Sequence, residues 1–153
     1  MRRSVCRAEI SHLDEREALK RANDRFYLAL ESLDLPAMEG LWLHEGWVQC
    51  VHPGWEAIVG WPGVRRSFEE IFSSTRWLRV TPTAVREVAF SDMGIVSCSE
   101  NLTMGGGPDG ELDLAMAHAT NVFRRTDHGW KIVLHHASSA PVRVTQPWSG
   151  TVQ

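Results

Sequence analysis

His52 ends a short apolar run, Trp47–Val51, and directly precedes Pro53-Gly54-Trp55. An imidazole has an unperturbed pKa near ~6.5, so it can take or give a proton at neutral pH. Trp47 and Trp55 on either side would exclude water and favour the neutral ring, the form a proton-abstracting base needs. A second pair, Asn121 and His136, lies in two strand-like runs and would together hold a polarised oxygen. Each has a plainer reading beside this one: His52 bonded within its own turn, His136 a satisfied core histidine. Glu100 and Asn101 alternate along their strand, so one of them faces inward, and the sequence leaves open which. His135 and His136 are adjacent on a strand and point to opposite faces, unlike a chelating pair one helical turn apart; no metal is expected. Ser138 and Cys50 lack the partners of an activated nucleophile.

The element that must position these groups runs from Leu112 to Pro141. Two strand-forming runs flank a polar turn at Gly129, the pattern of a long β-hairpin. A turn at His128-Gly129 pairs Asp127 with Trp130, Phe123 with Leu134 and Asn121 with His136. The covered face would then carry Trp130, Ile132, Leu134, His136 and Ser138 opposite Phe123, Asn121, Ala119, Ala117 and Ala115. Lys131, Val133 and His135 would face the other way, with Arg124, Val122, Thr120 and His118. A one-residue change of register would put Thr120, not Asn121, opposite His136. Ala115, Ala117 and Ala119 are small, and are expected to floor a cavity beneath Phe26 and Trp42. Phe26, Trp42, Trp47, Trp55, Ala117 and Ala119 are the candidate ligand contacts, although tryptophans are more often core or lid packing.

Earlier in the chain, residues 1–13 have no clear pattern and read as a loose arm. Asp14 would cap an amphipathic helix over Glu15–Leu33, in which Ala18, Ala22, Phe26, Ala29, Leu30 and Leu33 recur at helical spacing. Asp34-Leu35-Pro36 starts a second helix with Met38, Leu41 and Trp42 on its buried side, ended by Gly46. Trp47–Val51 is a short strand and Val64–Ser73 a third helix. Strands follow at Leu78–Phe90, where Pro82 favours an edge, and at Ile95–Met104. Gly105–Gly110 is a loop without the Gly-Lys-Ser/Thr of a phosphate-binding motif. Residues 142–153 form a polar tail.

The 153 residues suit one domain, and 43% apolar with 23% charged residues is ordinary for a globular chain. A net charge of −3 with no basic stripe argues against nucleic acid. No apolar run approaches the ~20 residues of a membrane span, and the start lacks a secretory apolar core. Three scattered cysteines fit reduced thiols and a cytoplasmic location.

Helices first and a strand meander after them predict an α+β fold, a cone-like curved antiparallel sheet wrapping three N-terminal helices. The order helix, Asp-Leu-Pro helix, strand, His-Pro-Gly turn, helix, four strands resembles the nuclear transport factor 2-like superfamily over residues 14–141. Cys50-Val51-His52-Pro53-Gly54-Trp55 resembles its SnoaL-like group. Val122–Pro141 is also similar to the association domain of calcium/calmodulin-dependent kinase II. The resemblance implies a cystatin-like cone with a pocket. It carries over few functional residues. Ketosteroid isomerases place a tyrosine on the first helix and an aspartate after the first strand, where this chain has Phe26, with Tyr27 adjacent, and His52. Asn121 and Ala137 stand where the kinase association domain has arginines. The fold hosts unrelated chemistries, so three functions remain open. The first is a cofactor-independent isomerase, cyclase or dehydratase, with His52 moving the proton and Asn121 and His136 holding an oxygen. The others are a ligand-binding protein for a small apolar or aromatic molecule, and an assembly module. A homodimer through the outer sheet face is expected.

Overall fold

A computed structural model describes residues 3–105 and 112–142, with side chains from residue 13 onward. Three helices, α1 (Arg3–Glu31), α2 (Leu35–Leu41) and α3 (Trp61–Ser74), accompany six strands. These are β1 (Gln49–Val51), β2 (Ile58–Val59), β3 (Trp77–Ala89), β4 (Met93–Gly105), β5 (Leu112–Thr126) and β6 (Gly129–Ala140). They form one sheet in the order β2-β1-β6-β5-β4-β3. The α+β class holds, but β1 runs parallel to β6, so the sheet is mixed. The two-residue strand β2, between two turns, was not expected from the sequence. Among the described residues, no helix is long and apolar enough to cross a membrane.

Helix α1 begins at Arg3, so the stretch expected as a loose arm is helical from there on and Asp14 lies inside the helix, not at its cap. Leu19, Ala22, Phe26 and Ala29 form the buried stripe. Gly94 on β4 lets α1 sit close, because a Cβ there would lie 2.6 Å from a Leu19 methyl. The helix ends in a left-handed cap: Leu33 has φ 52°, Asp34 N–H donates to Ala29 O at 3.0 Å and Leu33 N–H to Leu30 O at 3.2 Å. Asp34 then caps α2, accepting from Ala37 N–H at 2.9 Å. Helix α2 stops at Leu41, earlier than Gly46, and buries Met38.

Pro82 sits on β3, an edge strand as expected. The register of β3 shifts between Thr83 and Arg86, where Ala84 takes φ 51°, so the strand carries a bulge that bends the sheet. The hairpin departs from expectation in two ways. Its turn is Asp127-His128, closing with Thr126 opposite Gly129, one residue earlier than predicted. Phe123 pairs with Ile132 and Val122 with Leu134, so Val133 is the extra residue of a second bulge. Trp130 and Ile132 face the core before the bulge, and His135 and Ala137 face it after. The bulge exchanges the expected facing of the two adjacent histidines: Asn121 pairs with His135, and Thr120 with the exposed His136. On β5 the predicted inward row Phe123, Asn121, Ala119, Ala117 is correct. The glycine loop at 106–110 and the tail at 143–153 lie outside the described residues.

Candidate functional site

A partly open cavity of about 200 Å³ lies between α1, α3 and the sheet. Leu30, Phe68, Ile71, Leu78, Leu102 and Met104 give it apolar walls, and Ala115 and Ala117 give it room. Pro53 and Trp55 lie along its rim, with Trp55 40% exposed. His52, Glu100 and His135 are the buried polar residues of its wall.

His52 is placed by the turn after β1, and its ring lies edge-on to Trp55 and Phe68. Its Nε2 is 2.9 Å from Ser67 Oγ, on the buried side of α3. The Ser67 hydroxyl donates to Val64 O at 2.7 Å, so Ser67 accepts from His52 Nε2–H. That leaves the lone pair on Nδ1; the Cys50 thiol lies against the ring, 3.5 Å from Nε2 and 3.9 Å from Nδ1. Burial lowers the His52 pKa to about 4, which keeps the ring neutral at pH 7.

His135 lies 6.2 Å from His52, ring centre to ring centre, and 4.9 Å from Phe26. Its Nδ1–H donates to Asn121 Oδ1 at 2.6 Å. Asn121 Nδ2 donates in turn to Asn23 Oδ1 on α1 at 2.8 Å, which fixes the amide orientation. The lone pair of His135 is therefore on Nε2, which has no hydrogen-bond partner among the described residues. Burial first, then the neighbouring His52 and His136, lower its pKa to about 3.

Glu100, not Asn101, faces inward. Asn101 bonds on the outer side to Thr81 O at 3.1 Å and Thr83 Oγ1 at 3.0 Å. Tyr27 O–H donates to Glu100 Oε1 at 2.8 Å, and the Cys98 thiol sits 3.1 Å from the phenol oxygen. Burial raises the Glu100 pKa, and the Tyr27 hydrogen bond only partly offsets this. The Tyr27 phenol is pushed well above its ordinary value by burial and then by Glu100.

The structure thus brings His52, Trp55 and Ala117 to the cavity and leaves other expected residues out of it. His136 points outward because of the Val133 bulge. Trp47 is 46% exposed, because Val48 and Cys50 take the inward positions around it. Phe26, Trp42 and Ala119 are buried in the core and do not line the cavity. Ala119 pairs with Cys98 in the sheet, beneath the Tyr27 hydroxyl, so α1 fills the space expected to be open there. Asn121 is buried and acts behind His135. Asn23 and Ser67 were missed, Tyr27 was named only as the neighbour of Phe26, and His135 was placed on the wrong face. Asn23 and Ser67 are polar residues interrupting apolar helix stripes, beside Ala22 and Phe26 and beside Val64 and Phe68, and that interruption was the available signal. Among the described residues no group of three or more potential metal ligands gathers.

The SnoaL-like domain model matches residues 19–143. The chain belongs to the SnoaL-like family. A candidate dehydratase of the nuclear transport factor 2-like family from Streptomyces avermitilis is 35% identical, with a TM-score of 0.81, over 86% of this chain and 99% of that one. A candidate calcium/calmodulin-dependent protein kinase type II association domain from Thiobacillus denitrificans is 33% identical, with a TM-score of 0.70, over 80% and 94%. A nuclear transport factor 2-like protein from Salmonella enterica shares the fold at 15% identity and a TM-score of 0.76, over 90% and 98%. No curated protein matches the chain. The SnoaL-like and nuclear transport factor 2-like resemblance of the sequence is therefore correct.

Proposed function

We propose that this SnoaL-like protein is a proton-transfer enzyme acting on a small molecule without a cofactor, by elimination or isomerisation beside a carbonyl. The observation that carries this reading is two neutral imidazoles and a buried carboxyl sharing one apolar cavity, each hydrogen-bonded by a residue beside it. An imidazole must be neutral to take a proton, and a carboxyl must hold one at working pH to act as an acid. His52 Nδ1 is the base: it takes a C–H proton and becomes imidazolium. The Glu100 carboxyl, favoured in its protonated form by burial, gives its proton to the departing or enolising oxygen. In an elimination, proton return from His52 to Glu100 through solvent at the rim completes the cycle; in an isomerisation, His52 returns its proton to the second carbon and the enol hydroxyl returns its own to Glu100. His135 holds the oxygen-bearing group, taking the part expected of His136. The relative from Streptomyces avermitilis, described as a candidate dehydratase, supports this class of reaction.

The test uses single-ring β-hydroxy ketones and enones in D₂O, followed by NMR for deuterium uptake and water loss. Wild-type protein should promote one of these. His52→Gln should lower the rate by ~10²–10⁴, the usual worth of a general base, with the circular dichroism spectrum unchanged. A wild-type protein inert across the set, or a fully active His52→Gln, defeats the reading.

A further inference from the structure

We propose that the cavity selects a neutral, single-ring molecule through a hydroxyl donor on that ring, and rejects carboxylates, phosphates and ammonium groups. This rests on the cavity being the working site, and adds the class of molecule it takes.

The size comes first. A cavity of about 200 Å³ is close to the ~150 Å³ apolar cavity known to hold benzene, so one substituted ring fills it. Aliphatic and aromatic side chains line most of it and match the faces of such a ring.

The polar atoms decide the rest. Each ring commits one nitrogen as donor to a neighbouring side chain, so each histidine has only a lone pair left to offer a ligand. For His52 that atom is Nδ1, since Nε2–H is committed to Ser67. For His135 it is Nε2, since Nδ1–H is committed to Asn121, whose own amide is held by Asn23. Thr75, also in the wall, spends its hydroxyl proton on Ile71 O at 2.7 Å. Three of the wall's polar side chains therefore present acceptors, and what an acceptor needs is a ligand O–H.

Charge is excluded on both sides. Among the described residues lining the cavity there is no lysine or arginine to hold an anion. An anion would meet the lone pairs of both histidines with no cation to pair it, and an unpaired buried charge is strongly disfavoured. For a cation the only counter-charge among the described residues of the wall is Glu100, which Tyr27 binds at Oε1 and burial favours as the neutral acid.

Calorimetric titration at pH 7 with 4-methylphenol, toluene, 4-methylbenzoate and 4-methylbenzylamine tests this on the full chain. The phenol should bind at least tenfold more tightly than each of the other three. Ala117→Leu should abolish phenol binding, which places it in this cavity. His135→Phe should reduce the phenol's advantage over toluene at least fivefold, and if that variant does not fold, His52→Phe decides by the same criterion. Benzoate or benzylamine binding as tightly as the phenol, a phenol advantage unchanged in the folded variant, or no binding of any probe at millimolar concentration overturns the proposal. The two readings fail separately. Hydroxyl selectivity without turnover removes only the catalytic reading, and turnover without hydroxyl selectivity removes only this one.

Discussion

His52 and His135 keep neutral rings inside an apolar cavity, and this couples the fold to pH. Their folded pKa values, about 4 and about 3, lie below the ordinary 6.5. Between those limits the unfolded chain binds more protons than the folded one, so stability falls as pH drops from 6.5 towards 4. Glu100 acts in the opposite sense, since its raised pKa makes ionisation at higher pH a cost to the folded state. The urea midpoint should therefore decline on acidification from pH 6.5, and His52→Phe should make that decline shallower. An equally steep profile in the variant would show that His52 is not the group responsible. Asn121 carries a different load, because it joins His135 to Asn23 and sits 3.5 Å from the Tyr27 hydroxyl. Asn121→Ala strands a buried N–H and a buried amide oxygen, and should cost roughly 2–4 kcal/mol in urea unfolding.

At the scale of the elements, bulges and close contacts set where these side chains arrive. Val133 turns β6 over so that His135 enters the cavity. The bulge in β3 holds Ala84 at φ 51°, in the region that favours glycine, and Ala84 is exposed. Ala84→Gly removes that strain without losing packing and should stabilise by about 0.5–1 kcal/mol, read as a rise in the melting temperature. Gly94→Ala should do the reverse. Its methyl would meet Leu19, a fully buried anchor of α1, and displacing it should cost about 1–3 kcal/mol. Because α1 also carries Asn23 and Tyr27, Gly94→Ala should weaken binding of 4-methylphenol as well. A variant with lowered stability but wild-type affinity would separate α1 packing from the site.

At the scale of the molecule, no described element covers the outer face of the sheet. Val88, Ile95, Val122 and Leu134 align across β3, β4, β5 and β6 in one apolar row, and Val88 is 51% exposed. Such a row on a monomer marks a contact surface. We expect two copies to pair through this face with isologous symmetry. Light scattering at micromolar concentration should give a dimer mass, and Ile95→Lys should give a monomer mass. A monomeric wild-type protein would end this expectation.

The local signals in the sequence sufficed for the fold class, though not for β2 or the parallel pairing of β1 with β6. The helical stripe through Ala22, Phe26 and Ala29, the Asp34 cap before Pro36, and the hairpin runs around Gly129 each rest on contacts between near neighbours. Helix, cap and strand propensities follow from such contacts, so type and order were legible. On β5 the alternation from Ala117 to Phe123 was regular, and its inward face was legible too. His52 could be singled out because it stands alone beside a Pro-Gly turn. The site as a whole was not legible, because strand facing has a period of two and one extra residue reverses it. No residue type in Ile132-Val133-Leu134 announces a bulge; the curvature of the sheet and the pairing of β6 with both β1 and β5 decide it. The choice of Glu100 over Asn101, the Asn23–Asn121–His135 chain and the Ser67 contact that sets the His52 tautomer depend on residues far apart in sequence. Only the packing of α1 and α3 against the sheet brings them together.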